Sequence, residues 1–187
     1  RTDALLEVSE QRTERGEHDA ALVLLNEALA GLRERGDPRD ANLGAVANSY
    51  GAALFRQARY GDALERLREA QVALAFHLGA GDPSLALIAR NAADCLRQLG
   101  RFDAARTELL PSLERYRELG RDADVAESLR AFGELERDAG NLAAALAHFE
   151  EGRECFSLAF SSSHPALSKF DRWIGDVHER MGEFEAA

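Results

Sequence analysis

The side chains that usually carry catalysis are present in this chain, but they lack the spacing that catalysis requires. The histidines are dispersed at positions 18, 77, 148, 164 and 178, without the short intervals of a metal site. Neither Cys95 nor Cys155 belongs to a CxxC pair or lies near a histidine cluster. The sequence contains no GxSxG, HExxH, P-loop or GxGxxG motif. We therefore expect no enzymatic activity, no metal and no cofactor.

The charge balance narrows the classes of partner. The formal net charge is −10, which disfavours nucleic acid, because neutralising phosphates requires an excess of basic residues. An anionic membrane surface would repel the chain by the same logic, and no apolar run approaches the roughly twenty residues of a spanning helix. We expect a cytoplasmic protein with reduced cysteines. Lys169 is the only lysine among 23 basic residues, a bias typical of GC-rich genomes that points to a bacterial source.

A short motif recurs with a period of about forty residues. It places an apolar or aromatic residue (histidine in the first copy) two positions after a small residue, and an alanine five positions after it. Its copies start at residues 16, 58, 100, 140 and 182. Small residues lie seven positions before four of these starts, at Gly51, Ala93, Gly133 and Gly175. Apolar residues flank the motif at intervals of three and four, so each unit is predicted to be a helix, a tight turn and a second helix.

The same pattern predicts the boundaries of the elements. We expect helices over residues 3–15, 19–35, 38–57, 61–78, 83–98, 102–119, 123–138, 142–159 and 165–181. Asp37 and Asp82 suit the N-cap, each followed by a proline at the first helical position, and Pro111 should bend or open its helix. Residues at helix-packing positions are predicted to lie in the core: Tyr60, Phe102, Phe132, Phe149 and Trp173.

These residues together resemble the tetratricopeptide repeat, and the 42-residue period with Asp-Pro or His-Pro between units resembles its kinesin-light-chain-type variant. The resemblance covers essentially the whole chain. It implies an all-α, right-handed superhelical solenoid of antiparallel helix pairs with about four and a half repeats. One domain over 1–187 would comprise repeats at about 1–37, 38–81, 82–121, 122–163 and 164–187, the last incomplete in a fragment of a longer protein. Ser9, Glu136 and His178 depart from the residue types that the family places there.

In this family the first helix of each unit lines a concave face that binds a protein or an extended peptide. Projecting the family's groove positions onto this chain selects Asn48, Phe55, Arg56, Arg90, Asn91, Asp94, Arg97, Arg130, Glu134, Arg137, Arg172, Asp176 and Arg180. Arginine meets carboxylates with two parallel hydrogen bonds, so this ladder predicts an acidic peptide as the ligand. In the alternative interpretation, each arginine pairs with the acid four residues on along its own helix, which leaves a solvated face.

The expected function is that of a protein- or peptide-binding scaffold. A second hypothesis is a regulatory sensor, in which a signalling peptide or small molecule bound by the repeats controls a linked effector domain. A third is self-assembly, in which terminal repeats stack on another copy to form a homo-oligomer.

Overall fold

The computed structural model describes residues 2–37, 40–78, 82–160 and 164–186, and all regular structure in those ranges is helical. The helices are α1 (Thr2–Glu14), α2 (His18–Arg33), α3 (Ala41–Arg56), α4 (Tyr60–Leu78), α5 (Pro83–Gln98), α6 (Phe102–Glu118), α7 (Asp122–Asp138), α8 (Leu142–Ala159) and α9 (Leu167–Ala186). The all-α prediction is confirmed, and most helix ends lie within two residues of their predicted positions.

The small residue that heads the repeated motif ends the preceding helix by turning left-handed. Gly16, Gly100 and Gly140 have φ values of +76°, +70° and +85°, and Ala58 adopts +57° in the second copy. The next N–H then donates to a carbonyl five residues back, as Arg59 does to Leu54 over 3.0 Å and Asn141 to Glu136 over 2.8 Å. This is a Schellman cap, which glycine forms without the steric cost that a Cβ adds.

Two predicted helix ends are wrong. The N-cap of α3 is Asp40, whose carboxylate accepts the Asn42 N–H at 2.9 Å, and not Asp37. The Asp37 carbonyl instead accepts the Asp40 N–H in a turn before the helix, while Pro38 lies outside the described residues. Helix α9 runs on to Ala186, through the predicted turn at Gly182, because Gly182 lacks the positive φ that ends a helix in the other copies.

The predicted cap of α5 is confirmed, whereas the predicted opening at Pro111 is not seen. Asp82 caps α5 by accepting the Ser84 N–H at 2.8 Å, and Pro83 occupies the first helical turn. Pro111 lies within α6, which continues as a helix on both sides of it.

The first compact unit spans Arg1–Leu99 and contains α1 to α5. Helix α2 packs against α1 and α3, and α4 packs against α3 and α5. The core consists mainly of leucines and alanines, among which Leu25, Leu54 and Leu67 are at most 2% exposed. At Gly51 an added Cβ would lie 2.8 Å from the Leu67 Cγ atom, so the glycine permits the close approach of α3 and α4 that its small size predicts.

The second unit spans Gly100–Ala187 and contains α6 to α9. Helix α7 packs against α6 and α8, and α9 packs against α8. Phe149 and Phe132 are buried as predicted, whereas Tyr60 of the first unit and Phe102 and Trp173 of the second are only partly buried. The unit is therefore built around aromatic rings, where the first is built mostly around aliphatic side chains.

Candidate functional site

Four of the predicted site residues line one cleft in the first unit. The first helices α1, α3 and α5 lie side by side, with α3 in contact with both of the others. Between α3 and α5 is a cleft of about 170 Å³, lined by Phe55, Arg56, Asn91 and Asp94 and by Gly51, Ala52 and Leu67. This grouping matches the sequence-based projection, which placed all four on first helices.

The cleft combines an apolar wall with two polar side chains that have no hydrogen-bond or ion-pair partner among the described residues. The Phe55 ring is held edge-on to Tyr60 at a centroid distance of 5.2 Å. Within the described ranges, neither the Arg56 guanidinium nor the Asn91 amide has a hydrogen-bond or ion-pair partner. Asp94, by contrast, lies 3.5 Å from Nε of Arg97. A ligand in the cleft would therefore find one free cation, one free amide and an apolar surface.

Three further predicted residues, Asn48, Arg90 and the Arg97 that approaches Asp94, lie on the same helices but not in the lining of the cleft. Asn48 precedes Gly51 by almost one turn of α3, and its side-chain oxygen is buried without a hydrogen-bond partner among the described residues. Arg90 is half-buried on α5, one turn before Asp94, and has no ion pair in the part of the chain that the structure describes.

A second cleft, which the sequence reasoning missed, lies between α1 and α3. It measures about 260 Å³, and Arg56 and Ala52 line it as well. The α1 wall carries Glu10 and Glu14. Their spacing of four residues along the first helix of the first unit places both on one face of that helix, and this was the available signal.

In the second unit the predicted arginines are mostly paired with acids. Arg130 donates to Glu127 at 2.9 Å and to Glu134 at 2.8 Å. Arg180 lies 3.4 Å from Asp176, which Arg137 also approaches at 3.5 Å.

The pairing with the acid four residues on, which the alternative interpretation expects, is thus present at Arg130, whereas Arg180 pairs with the acid four residues before it. Arg172 is exposed and has no ion pair among residues 2–37, 40–78, 82–160 and 164–186. The cationic field of the projected ladder is therefore largely neutralised in this unit.

An aromatic cleft separates α7 from α9. It measures about 280 Å³, and its lining includes Arg130, Lys169, Phe170 and Trp173. The Trp173 ring stacks on Phe149 with centroids 5.7 Å apart and meets Phe170 edge-on at 5.2 Å. The Arg130 guanidinium lies 5.9 Å from the centre of the same indole. Packing against these three side chains fixes Trp173 as part of the wall of the cleft. Its position in that wall leaves it only partly buried.

The departure from the family pattern at Glu136 is explained by a buried ion pair. Both carboxylate oxygens accept hydrogen bonds from Arg106, at 2.6 and 2.9 Å, and Asn141 donates a third at 2.6 Å. The hydrogen bond from Arg106 holds the pKa of Glu136 below its ordinary value, against the opposing effect of burial. Burial likewise lowers the pKa of nearby His148. The hydrogen bonds join α6 to α7, and Asn141, which precedes α8, joins the same network.

Burial disfavours the ionised form of both thiols. Burial raises the pKa of Cys95 to about 12, and it also raises that of Cys155. Both cysteines are free. Among the described residues, no three His, Cys, Asp or Glu side chains are grouped closely enough to hold a metal ion. A search of the same residues for a helix with the length and hydropathy of a membrane span finds none.

The chain has relatives at the level of repeat family and fold. Residues 84–157 match the tetratricopeptide repeat family model. The crystal structure of BtubC (BKLC) from P. vanneervenii is 22% identical with a TM-score of 0.79, over 98% of this chain and 74% of that one. The crystal structure of a Podosopora anserina putative kinesin light chain with nearly identical TPR-like repeats is 15% identical, with a TM-score of 0.82. A point variant of that protein is likewise 15% identical, with a TM-score of 0.83. Both matches cover 98% of this chain and 88% of the other chain. No curated protein matches the sequence.

These findings define the class of the protein. Residues 84–157 are similar to the tetratricopeptide repeat. The chain as a whole has an all-α helical-repeat solenoid fold similar to that of kinesin-light-chain-type repeats. Such a fold suggests a protein-interaction scaffold, since stacked helix pairs present extended surfaces and not an enclosed active site.

Proposed function

We propose that this chain is a protein-interaction module that binds an extended peptide segment of a partner across α3 and α5. The observation that carries the proposal is the cleft in which an unpartnered arginine, an unpartnered amide and an apolar wall face the same space. No catalytic role is assigned to the chain, and the two free cysteines suit a reducing, cytoplasmic setting.

Each lining group has a part in this proposal. The Asn91 amide offers both a donor and an acceptor, the pair that one peptide unit of a ligand backbone requires. Phe55 and Leu67 supply the apolar surface for a ligand side chain. Arg56 supplies charge-assisted hydrogen bonds to an acidic side chain of the ligand. Arg90, on the neighbouring first helix α5, adds a second positive charge outside the lining of the cleft.

The ion pairs of the second unit limit where an acidic residue of the ligand can bind. Arg130, Arg137 and Arg180 are already neutralised by acids. An acidic residue of the ligand is therefore placed at Arg56, in the first unit, and not along a continuous ladder.

A displayed library of random peptides, selected on the whole chain, tests the proposal. We expect enriched peptides to share an apolar residue and an acidic residue, and to bind about tenfold or more weakly to the double variant Arg56→Ala with Asn91→Ala. Arg68→Ala is the matched control, because Arg68 is exposed on the second helix α4 and outside both clefts. Equal binding to the double variant and the parent would overturn the assignment of this cleft, and a lack of any enriched peptide would overturn the function.

A further inference from the structure

Arg56 lies between the two clefts of the first unit and forms part of the wall of each. On one side it faces the α3–α5 cleft with Asn91. On the other side it faces α1 across the α1–α3 cleft, whose opposite wall carries Glu10 and Glu14. The charged residues that line the α1–α3 cleft are therefore negative on the α1 wall and positive at the end of α3.

The charges that oppose one another across the α1–α3 cleft do not satisfy each other. Glu10 and Glu14 are both exposed, and neither has an ion pair with any residue in the described segments. Arg56, on the opposite wall of the cleft of about 260 Å³, forms no ion pair with either of them. By contrast, the hydroxyls beside them are already used by their own helix, since Ser9 donates to the Leu6 carbonyl and Thr13 to the Ser9 carbonyl.

A ligand that bridges this cleft would need a cation over α1 and an anion or a carbonyl at Arg56. Packed helices lie about 8–10 Å apart, and an extended chain advances about 3.3–3.6 Å per residue. One step from α1 to α3 therefore corresponds to about three residues of an extended peptide. The two clefts share a wall at Arg56 and Ala52, so a single segment can occupy both in turn.

We propose that the partner segment carries a basic residue about three residues from its acidic residue, with the basic side chain over Glu10 and Glu14 and the acidic one at Arg56. This inference rests on the function proposed above and adds a charge order to it. The ligand is then a peptide with both signs of charge, and a uniformly acidic tail would be repelled at α1. Complementary charges of this kind set specificity and orientation more than overall affinity.

The test is to repeat the selection of random peptides on the parent chain and on the double variant Glu10→Gln with Glu14→Gln. The parent should enrich peptides in which a lysine or arginine is offset by about three residues from an aspartate or glutamate. The double variant should lose the preference for the basic residue and keep that for the acidic one. Exchanging the basic residue of a selected peptide for glutamine should weaken its binding to the parent several-fold and leave its binding to the variant unchanged.

A matched control makes the same charge change elsewhere. In the double variant Glu114→Gln with Glu150→Gln, both carboxylates lie exposed on the second helices α6 and α8, and the basic preference should persist. Selected peptides that are acidic without a basic residue, or a basic preference that survives the loss of Glu10 and Glu14, would overturn the charge order while leaving the peptide-binding function intact. Failure to enrich any peptide would overturn both.

Discussion

Arg106 on α6 and Glu136 on α7 meet in a two-pronged ion pair, with Nε 2.6 Å from Oε1 and Nη2 2.9 Å from Oε2. Glu136 is only 7% exposed, at a position where the family usually has an apolar residue. Replacing Glu136 by alanine removes both bonds and leaves Arg106 without its buried partner. We expect a loss of about 2–3 kcal/mol in the free energy of unfolding, measured by urea denaturation followed by circular dichroism.

The double variant Arg106→Met with Glu136→Leu separates two contributions to the free energy of unfolding. One is the loss caused by leaving a single partner unpaired, and the other is the net stabilisation by the ion pair itself. Apolar side chains in place of both partners leave no buried charge unpaired, and Asp103, which also loses its bond from Arg106, is fully exposed to water. The double variant should therefore be far closer to the parent than Glu136→Ala is. If both variants lose the same stability, the ion pair is not what the single substitution disrupts.

The stability of the chain should fall as the pH is lowered through the ordinary histidine pKa of 6.5 and below it, and His148 is the cause. Burial lowers the pKa of His148 from its ordinary value of 6.5, despite the nearby carboxylates of Glu136 and Glu151. The unfolded chain therefore binds this proton before the folded chain does. His148 thus contributes stability that is present above the unfolded pKa and lost as the pH falls through the folded pKa.

Melting temperatures across that range check the sign. His148→Phe removes the titrating group but keeps a ring against Phe132, whose centroid lies 5.2 Å away, and it should flatten the slope. His178→Phe changes an exposed histidine on α9 and should leave the slope as it is in the parent. An unchanged slope in His148→Phe would assign the pH dependence to another group. At lower pH the depressed pKa of Glu136 adds a further loss with the same sign.

Gly133 allows α7 and α8 to pack closely, and adding a single methyl group at this position should destabilise the chain. A Cβ at this position would overlap the Phe149 ring, with the Cδ1 atom 2.5 Å away, and Phe149 is fully buried. Gly133→Ala should therefore cost about 1–3 kcal/mol. Gly175→Ala is the matched control, because no atom lies within 4 Å of its added Cβ. There the higher helix propensity of alanine should raise stability by about 0.5–1 kcal/mol, and equal effects at both glycines would contradict the packing argument.

Sequence periodicity was sufficient for the helices and most of their caps, because both depend on residues close together along the chain. Gly16, Gly100 and Gly140 recur where each helix must end left-handed, so the turns could be read directly. The same rule failed at Gly182, where the motif is present but the backbone remains helical. A local motif permits a turn, and the rest of the structure decides whether one forms.

Side-chain pairing between helices was beyond the reach of the sequence. Arg106 and Glu136 are 30 positions apart along the chain, and no local pattern connects the two. The projection from the family placed Phe55, Arg56, Asn91 and Asp94 on neighbouring first helices because the repeat fixes which helices are neighbours, and one cleft brings the four together. It did not select Glu10 and Glu14, which line the second cleft, since the first copy departs from the family pattern.

Ala58 marks a site where stability can be gained. It holds φ at +57°, a left-handed conformation that costs an alanine more than a glycine. Ala58→Gly should raise the free energy of unfolding by about 1 kcal/mol, and Gly100→Ala, at φ +70° with no atom near the added Cβ, should lower it by about the same amount. Denaturant midpoints for the pair should move in opposite directions. A loss of stability in Ala58→Gly would show that chain entropy outweighs the relief of strain.

The two thiols should differ in reactivity toward iodoacetamide in the folded chain. Cys95 is fully buried, and its pKa of about 12 leaves almost no thiolate at neutral pH. Cys155 is partly buried, and burial together with the charges of Glu151 and Asp122 raises its pKa less. Mass spectrometry should find Cys155 modified slowly and first, and Cys95 modified only after urea unfolds the chain. Cys155→Ser should leave the folded protein unlabelled, and labelling of Cys95 in that variant without denaturant would show that α5 opens to solvent in the native state.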